Sequence, residues 1–299
     1  VFKYFNFFAD SFVDFAGMMG FSAGSVTLNL VLPVGISFYT FQAISYMVDV
    51  HRGDIGARRS FLDVAFYIAF FPQLVAGPIV RASEFIPQMD TARKWADVSV
   101  RACLTLFLIG FIKKACISDN IQDFWRRWHI SLSSWLRDYL YIPLGGNRRG
   151  NGRRDVNLMT TMVLGGLWHG ASFNFVIWGF LHGIALIVQR FWHQLVARRV
   201  PAMGLLGGFI GGAVTFYWVN LAWIFFRAAD LGEALSISQT YLTWSSAGQN
   251  VLPIAVWPLL ACLGLAHWLS HRFGAQEMIE RLAPNRFAVT YGAIVAIAI

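Results

Sequence analysis

The sequence contains little charge and few cysteines. Asp, Glu, Lys and Arg make up 13% of its 299 residues, about half of the fraction that soluble domains carry. The three cysteines form no CxxC pair and suggest neither a disulfide framework nor a cysteine metal site. Since 57% of the residues are hydrophobic, the composition predicts an integral membrane protein whose solvent is a lipid bilayer.

The net charge of +8 does not predict a nucleic-acid partner. The arginines lie in segments between apolar runs, as the positive-inside bias of multi-span membrane proteins places them. Basic loops that face anionic membrane lipids are therefore the favoured interpretation, and nucleic-acid binding is disfavoured. The chain begins with Val1 and ends within the apolar run Phe287–Ile299, so we expect it to be part of a longer protein.

Long apolar runs predict an all-α, polytopic fold that crosses the membrane several times. In one of them, Pro72, Gly77 and Pro78 predict a broken or re-entrant helix, because freed backbone groups at membrane depth require protein or water as partners. The predicted spans are Leu28–Val48, Phe61–Val80, Ala102–Ile112, Gly204–Phe226 and Leu252–His267, with Val1–Met19 as an interfacial helix or the end of a span. No linker interrupts them, and we predict one membrane-embedded domain over residues 1–299.

The segment Ile121–Gly146 has the pattern of one amphipathic helix. Apolar side chains recur at spacings of three and four residues and form one stripe: Phe124, Trp128, Leu132, Trp135, Leu136, Tyr139 and Leu140. His129 falls at the boundary of this stripe. An interfacial histidine beside tryptophans is the ordinary interpretation. The functional one is a polar entrance in which His129 binds substrate or orients a second histidine, His169.

The run Val156–Gln189 carries no formal charge and is too long for one span and too short for two. Gly165, Gly166 and Gly170 therefore predict a helix, a break and a second helix, with His169 at membrane depth beside the break. A histidine that bonds a neighbouring helix is the structural alternative, but an ionisable group in a bilayer is a functional candidate.

The chemistry that suits His169 is general base catalysis. Imidazole titrates near neutral pH and can take a proton from a hydroxyl whose oxygen attacks a thioester carbonyl. Trp168 adjoins this histidine, and Asn174 or loosened backbone near Gly170 would hold the developing oxyanion. Arg126 and Arg127, beside Trp128, would contact donor phosphates or, as is commoner, lipid headgroups. His267 and His271 share a helical face without a third ligand nearby in sequence, so no metal site is predicted.

Four stretches of this chain resemble the membrane-bound O-acyltransferase family, and within it the bacterial branch that includes alginate O-acetyltransferases. They are VLPVGISFYTFQAISYMVDVHRGD (Val31–Asp54), FFPQLVAGPIVR (Phe70–Arg81), DFWRRWHISLSSWLRDYLYIPLGGNRRG (Asp123–Gly150) and VLGGLWHGASFNFVIWGFLHG (Val163–Gly183). The resemblance implies that His169 is the essential histidine and His129 a second active-site histidine. It also implies a helical funnel in the bacterial inner membrane.

In that family branch an acyl group, usually acetyl, passes from a cytoplasmic donor to an extracytoplasmic acceptor. The resemblance therefore implies acetyl-CoA or an acyl carrier as donor with no bound cofactor, an exported polysaccharide as acceptor, and a periplasmic esterase-like protein as partner. Compared with the family pattern, the chain lacks its first segments, its end, and a hydrophobic stretch at Asn120-Ile121. A transporter or flippase with proton-relay histidines and an inactive remnant are the alternatives.

Overall fold

The structure, a computed structural model, describes residues 2–22, 24, 27–29, 35–74, 77–91, 118, 120–195, 204–245 and 258. Regular elements in this part are helical, as the predicted all-α class requires. In chain order they are α1 (Phe5–Met18, after a 3-10 turn Phe2–Tyr4), α2 (Ile36–Arg52), α3 (Phe61–Ala69), α4 (Phe71–Leu74), α5 (Ala82–Met89), α6 (Ile121–Arg127), α7 (Ile130–Leu136), a π-helical segment (Arg137–Tyr141), α8 (Gly150–His169), α9 (Phe173–Leu195), α10 (Gly204–Arg227) and α11 (Leu231–Thr243).

The chain divides into two compact units. One comprises residues 1–91, 129–202 and 217–243, and the other comprises residues 92–128, 203–216 and 244–299. The prediction of one membrane-embedded domain over residues 1–299 stays a prediction. The predicted span Ala102–Ile112, the predicted span Leu252–His267 apart from residue 258, the run Phe287–Ile299 and the pair His267 and His271 lie outside the described residues.

Two of the described helices are long and apolar enough to cross a membrane. They are α9 and residues Gly207–Arg227 of α10. Large apolar side chains on α10 point outward, with Phe209 77% exposed and Val214 63% exposed. Contiguous apolar surface of this kind is costly in water and suits a lipid-facing helix. The span predicted at Leu28–Val48 instead forms α2, which begins after Gly35 in the left-handed conformation (φ 81°) and has 17 residues.

The broken helix predicted within Phe61–Val80 is confirmed. Helix α3 ends at Ala69, Phe70 is extended, and α4 covers four residues. The Tyr67 hydroxyl donates to the carbonyl oxygen of Val80 at 2.9 Å, and the side chains of Gln42 and Gln73 bond each other. Protein groups thus satisfy polar atoms around the break, as a low-dielectric environment requires.

The break predicted within Val156–Gln189 is confirmed beside His169, at Gly170, which is one of the three glycines that predicted it. Helix α8 continues through Gly165 and Gly166 and ends at His169, and α9 starts at Phe173. The two glycines serve close packing instead, because a Cβ on Gly166 would collide with the carbonyl oxygen of Phe175. Small residues at a helix interface let two backbones approach, and here they join α8 and α9 as a tight hairpin.

The prediction of one amphipathic helix over Ile121–Gly146 is wrong. Helix α6 ends at Arg127, Trp128 is extended, and His129 adopts the left-handed conformation with φ 45° and ψ 50° before α7 begins. Histidine tolerates this region better than most residues, and the cost is about 1–2 kcal/mol. The chain therefore changes direction at the histidine that the sequence singled out.

Candidate functional site

His169 is the last residue of α8 and lies among aromatic rings. Its imidazole is edge-on to the rings of Trp178 at 5.1 Å and Phe226 at 4.9 Å, measured between centroids. Phe175 lies on another side, with its ring 6.2 Å away. These residues come from α9 and α10, so the helices that follow the break form an apolar wall around the imidazole. Such walls exclude water and strengthen polar interactions inside them.

Trp168 brings the two predicted histidines together. Its indole is edge-on to His169 at 4.8 Å and to His129 at 6.2 Å. The histidines are 40 positions apart in the sequence, so the fold produces this arrangement rather than local spacing. His129 makes this contact from a left-handed backbone conformation. Strained backbone conformations such as that of His129 cluster at functional sites.

An aromatic stack, defined as Trp135, Phe41 and Trp168, supports the site from α2 and α7. Phe41 stacks on Trp135 with centroids 3.9 Å apart and planes 5° apart, and on Trp168 at 5.3 Å and 16°. Phe38 packs edge-on against Trp168 at 5.4 Å. Aromatic pairs at these separations contribute about 0.5–1.5 kcal/mol each beyond their buried area. The stack therefore fixes the indole that touches both histidines.

Asn174 lies at the start of α9 and is buried, with 3% of its surface exposed. Its Nδ2 donates to the carbonyl oxygen of Ala228 at 3.2 Å, and its backbone N–H donates to Ser172 Oγ at 3.2 Å. The Oδ1 atom is an acceptor and cannot stabilise an oxyanion. The role of Asn174 as an oxyanion donor stays a prediction, and its observed contact ties α9 to the end of α10.

The predicted donor-binding residues of α6 belong to the other compact unit. Arg127 Nε pairs with Asp123 Oδ2 one turn earlier at 2.8 Å, and Trp128 stacks on Phe124 at 5.8 Å. Both side chains of this pair are half-buried, and the Arg127 guanidinium is engaged within α6. Binding by Arg126, Arg127 and Trp128 stays a prediction.

A polar cluster, defined as Asp49, Arg81, Asp138 and Tyr139, lies at the far end of the aromatic stack. Trp135 contacts Tyr139 at 5.1 Å, and the Tyr139 hydroxyl donates to both oxygens of buried Asp49 at 2.7 and 2.9 Å. Burial, followed by the hydrogen bond to Asp49, raises the pKa of Tyr139, so the hydroxyl remains a donor at neutral pH.

Arg81 and Arg137 neutralise Asp138 in this cluster. Arg81 Nη2 lies 2.5 Å from Asp138 Oδ2, and Arg137 Nε lies 2.6 Å from Oδ1. Burial alone would raise the pKa of Asp138, but the hydrogen bonds from Arg137 and Arg81 outweigh it and lower the pKa below its ordinary value. The carboxylate is therefore ionised at neutral pH and connects the start of α5 with the π-helical segment. No three His, Cys, Asp or Glu side chains converge on a metal-sized space anywhere in the described ranges.

Replacing Tyr139 with phenylalanine is expected to destabilise the protein by about 1–3 kcal/mol, since the buried carboxylate of Asp49 loses its donor. The midpoint of thermal unfolding in detergent measures this. Tyr39→Phe is the matched control, because this tyrosine lies on α2 like Asp49 and its hydroxyl makes no hydrogen bond within the described part of the chain. Equal midpoints for the two variants would contradict a structural role for the Tyr139 hydroxyl.

The sequence of this chain is similar to those of known membrane proteins. Residues 109–226, which include both histidines, match the model of MBOAT, the membrane-bound O-acyltransferase family. The probable alginate O-acetylase AlgI of Pseudomonas aeruginosa is 34% identical over 316 residues, which cover 83% of this chain and 59% of the relative. That of Pseudomonas putida is 36% identical over 297 residues, 78% of this chain and 60% of the relative.

A relative named for a different acceptor is similar over a comparable length. The peptidoglycan O-acetyltransferase of Helicobacter pylori is 32% identical over 327 residues, covering 79% of this chain and 60% of the relative. The chain thus spans about three fifths of the length of the curated relatives it matches. The resemblance carried by the two histidine-containing motifs is confirmed, and residues 109–226 of this chain belong to the membrane-bound O-acyltransferase family.

Proposed function

We propose that this chain is the acyl-transferring part of a bacterial inner-membrane, multi-pass O-acyltransferase. It moves an acetyl group from acetyl-CoA, or an equivalent acyl-carrier thioester, to a hydroxyl of an exported polysaccharide. His169 is the general base and His129 assists it. The observation that carries this proposal is the placement of both histidines against Trp168, although they lie in separate helical segments.

The reaction balances with these groups alone. The acceptor oxygen attacks the thioester carbonyl carbon, and His169 takes the proton that the hydroxyl loses. The C–S bond breaks, the leaving thiolate takes that proton from the imidazolium, and an ester and a free thiol remain. A neutral imidazole in an apolar wall suits this cycle, because it accepts the proton and then returns it without a lasting change of charge.

His129 assists through position rather than by a second proton transfer. Its ring contacts the same indole that contacts His169. A group there can hydrogen-bond the acceptor hydroxyl and align it for attack, and orientation of reactants lowers barriers substantially. Arg126, Arg127 and Trp128 are proposed to bind the phosphates and pantetheine of the donor, and Asn174 is proposed to help hold the oxyanion.

The acceptor is proposed from the names of the relatives. Two of them are named for alginate and one for peptidoglycan, and both polymers are carbohydrates outside the cytoplasm. Since the donor is cytoplasmic, the transferred group crosses the membrane. We propose that a periplasmic esterase-like protein receives the acyl group or delivers it to the polymer, while lipids contact the apolar faces of α9 and α10.

The O-acetyl ester content of exported polysaccharide tests this function. Cells that lack their own transferase receive either this chain or its His169→Ala form at matched membrane abundance. Ester restored by the unmodified chain only is the expected result. Equal nonzero ester in both would remove His169 from catalysis. Absence of ester in both would favour an inactive remnant, and transport of substrate without thioester consumption would favour the transporter alternative.

A further inference from the structure

The helix that ends in His169 has an unusual terminus. The last four carbonyl groups of a helix lack donors within it, and many helices satisfy them by a left-handed residue just beyond the end. Gly170 instead leaves α8 in an extended conformation with φ −168° and ψ 158°. The carbonyl groups next to His169 therefore need partners from elsewhere in the fold.

Two side chains from the start of the chain supply these partners. Lys3 Nζ donates to the carbonyl oxygen of Trp168 at 2.7 Å, and the Tyr4 hydroxyl donates to that of Leu167 at 3.0 Å. Lys3 also donates to Ser37 Oγ, on α2, at 2.9 Å. One ammonium thus connects the chain start, α2 and the end of α8.

Lys3 is partly buried, which is unfavourable for an ammonium group, so its contacts with the end of α8 must offset that cost. Desolvation lowers the pKa of the Lys3 ammonium, so its placement has a cost. A lysine that only extended into water or toward lipid headgroups would avoid that cost by keeping its head group exposed. Here the head group lies among protein acceptors, at the end of a helix where the partial negative charge of the backbone is greatest.

We propose that Lys3 is a positioning residue that caps the helix ending in His169 and keeps this histidine unprotonated. This inference rests on the proposed role of His169 as a base. A histidine at a helix C-terminus is favoured in its protonated form by the helix dipole. The Lys3 ammonium offsets the exposed carbonyl groups and repels a second positive charge one residue away, so the neutral imidazole is favoured.

The other titratable groups described around His169 act in the same direction as Lys3. Burial has the largest effect in favour of the neutral form of His169, and the charges of His129 and Lys3 add to it. His182, on α9, contacts Trp178, which also contacts His169, and the two histidines disfavour each other's protonation. The residues of α9 and α10 that contact the ring directly are aromatic. Of these groups in the described part of the chain, Lys3 is the one that carries a charge at neutral pH, so its replacement removes that charge and leaves the histidines in place.

The pH dependence of transfer tests the proposal. Lys3→Met removes the charge and keeps the side-chain length, so the acid limb of the rate profile is expected to move to higher pH by about one unit. The rate lost on the acid side of the limb should largely return at higher pH, where the imidazole is neutral in both forms. Lys3→Arg keeps the charge and should retain the original limb. Tyr4→Phe, which removes the neighbouring contact without changing charge, is the matched control and should also retain it.

A second readout does not require activity. Diethyl pyrocarbonate acylates neutral imidazole, and mass spectrometry of the peptide containing His169 gives the fraction modified at each pH in detergent-solubilised protein. The midpoint should rise in Lys3→Met and not in Tyr4→Phe. Superimposable profiles, or a uniform loss of rate with an unmoved limb and midpoint, would overturn the proposal. An inactive unmodified chain would instead refute the proposed function, while the modification midpoint would still report on Lys3.

Discussion

Replacing His169 with alanine is expected to lower the rate of acyl transfer by at least about 100-fold, because a positioned general base contributes about 100- to 10,000-fold. The remaining aromatic wall of Trp178 and Phe226 would still exclude water, but no group would take the proton from the acceptor hydroxyl. The rate of label transfer from acetyl-labelled donor to polysaccharide in isolated membranes measures the effect.

The same chain offers a matched control for this loss. His193 is exposed on α9, far along the helix from the break, and His193→Ala should transfer acyl groups at the unmodified rate. His129→Ala should give an intermediate loss, since it leaves the base in place and removes only alignment. A His169→Ala variant that is as active as His193→Ala at equal abundance would be incompatible with the proposed mechanism.

Replacing Gly166 with alanine is expected to destabilise the hairpin of α8 and α9 by about 1–3 kcal/mol, as overpacking of a close interface does. The new Cβ would collide with the Phe175 carbonyl oxygen and lie 3.2 Å from the backbone nitrogen of Gly179. Backbone atoms cannot rotate away as a side chain can, so the helices must separate. Because His169 lies one turn after Gly166, transfer activity should fall as well.

Gly152→Ala separates this effect from a general intolerance of α8 to alanine. Gly152 lies on the same helix with no atom within 4 Å of an added Cβ. Its replacement should leave the unfolding midpoint unchanged or raise it, since alanine favours a helix over glycine by about 1 kcal/mol. If Gly166→Ala and Gly152→Ala unfold at the same temperature in detergent, the close approach of the two backbones is not what holds the hairpin.

The glycines of α8 show how far the sequence predicts the fold. Charge-free length correctly indicates two helical parts within Val156–Gln189, because a bilayer limits helix length. It does not say which of Gly165, Gly166 and Gly170 makes the break. A glycine that ends a helix and a glycine that lets another helix approach are the same residue type. Only the packing of Phe175 against Gly166 distinguishes the two roles, and this packing depends on tertiary structure.

For the candidate site, too, the sequence predicts some residues and not those whose contacts depend on the tertiary structure. His169 and His129 stand out in the sequence because an ionisable group between apolar residues is costly. Phe41 and Lys3 do not stand out, since apolar aromatics and single lysines are ordinary, and Lys3 meets Trp168 across 165 positions. The break at His129 was missed because the apolar stripe continues at helical spacing on both sides of it, while the left-handed conformation involves one residue only.

The most direct test of the account is the stoichiometry of thioester loss and ester gain in isolated membranes that contain this chain. Acetyl-CoA and the exported polysaccharide are supplied, free thiol and O-acetyl ester are both quantified, and His169→Ala membranes are run beside them. The account predicts one ester for each thiol released, and neither above background in the variant. Thiol release without ester, or equal ester in the two membranes, would contradict an acyltransferase that uses His169 as its base.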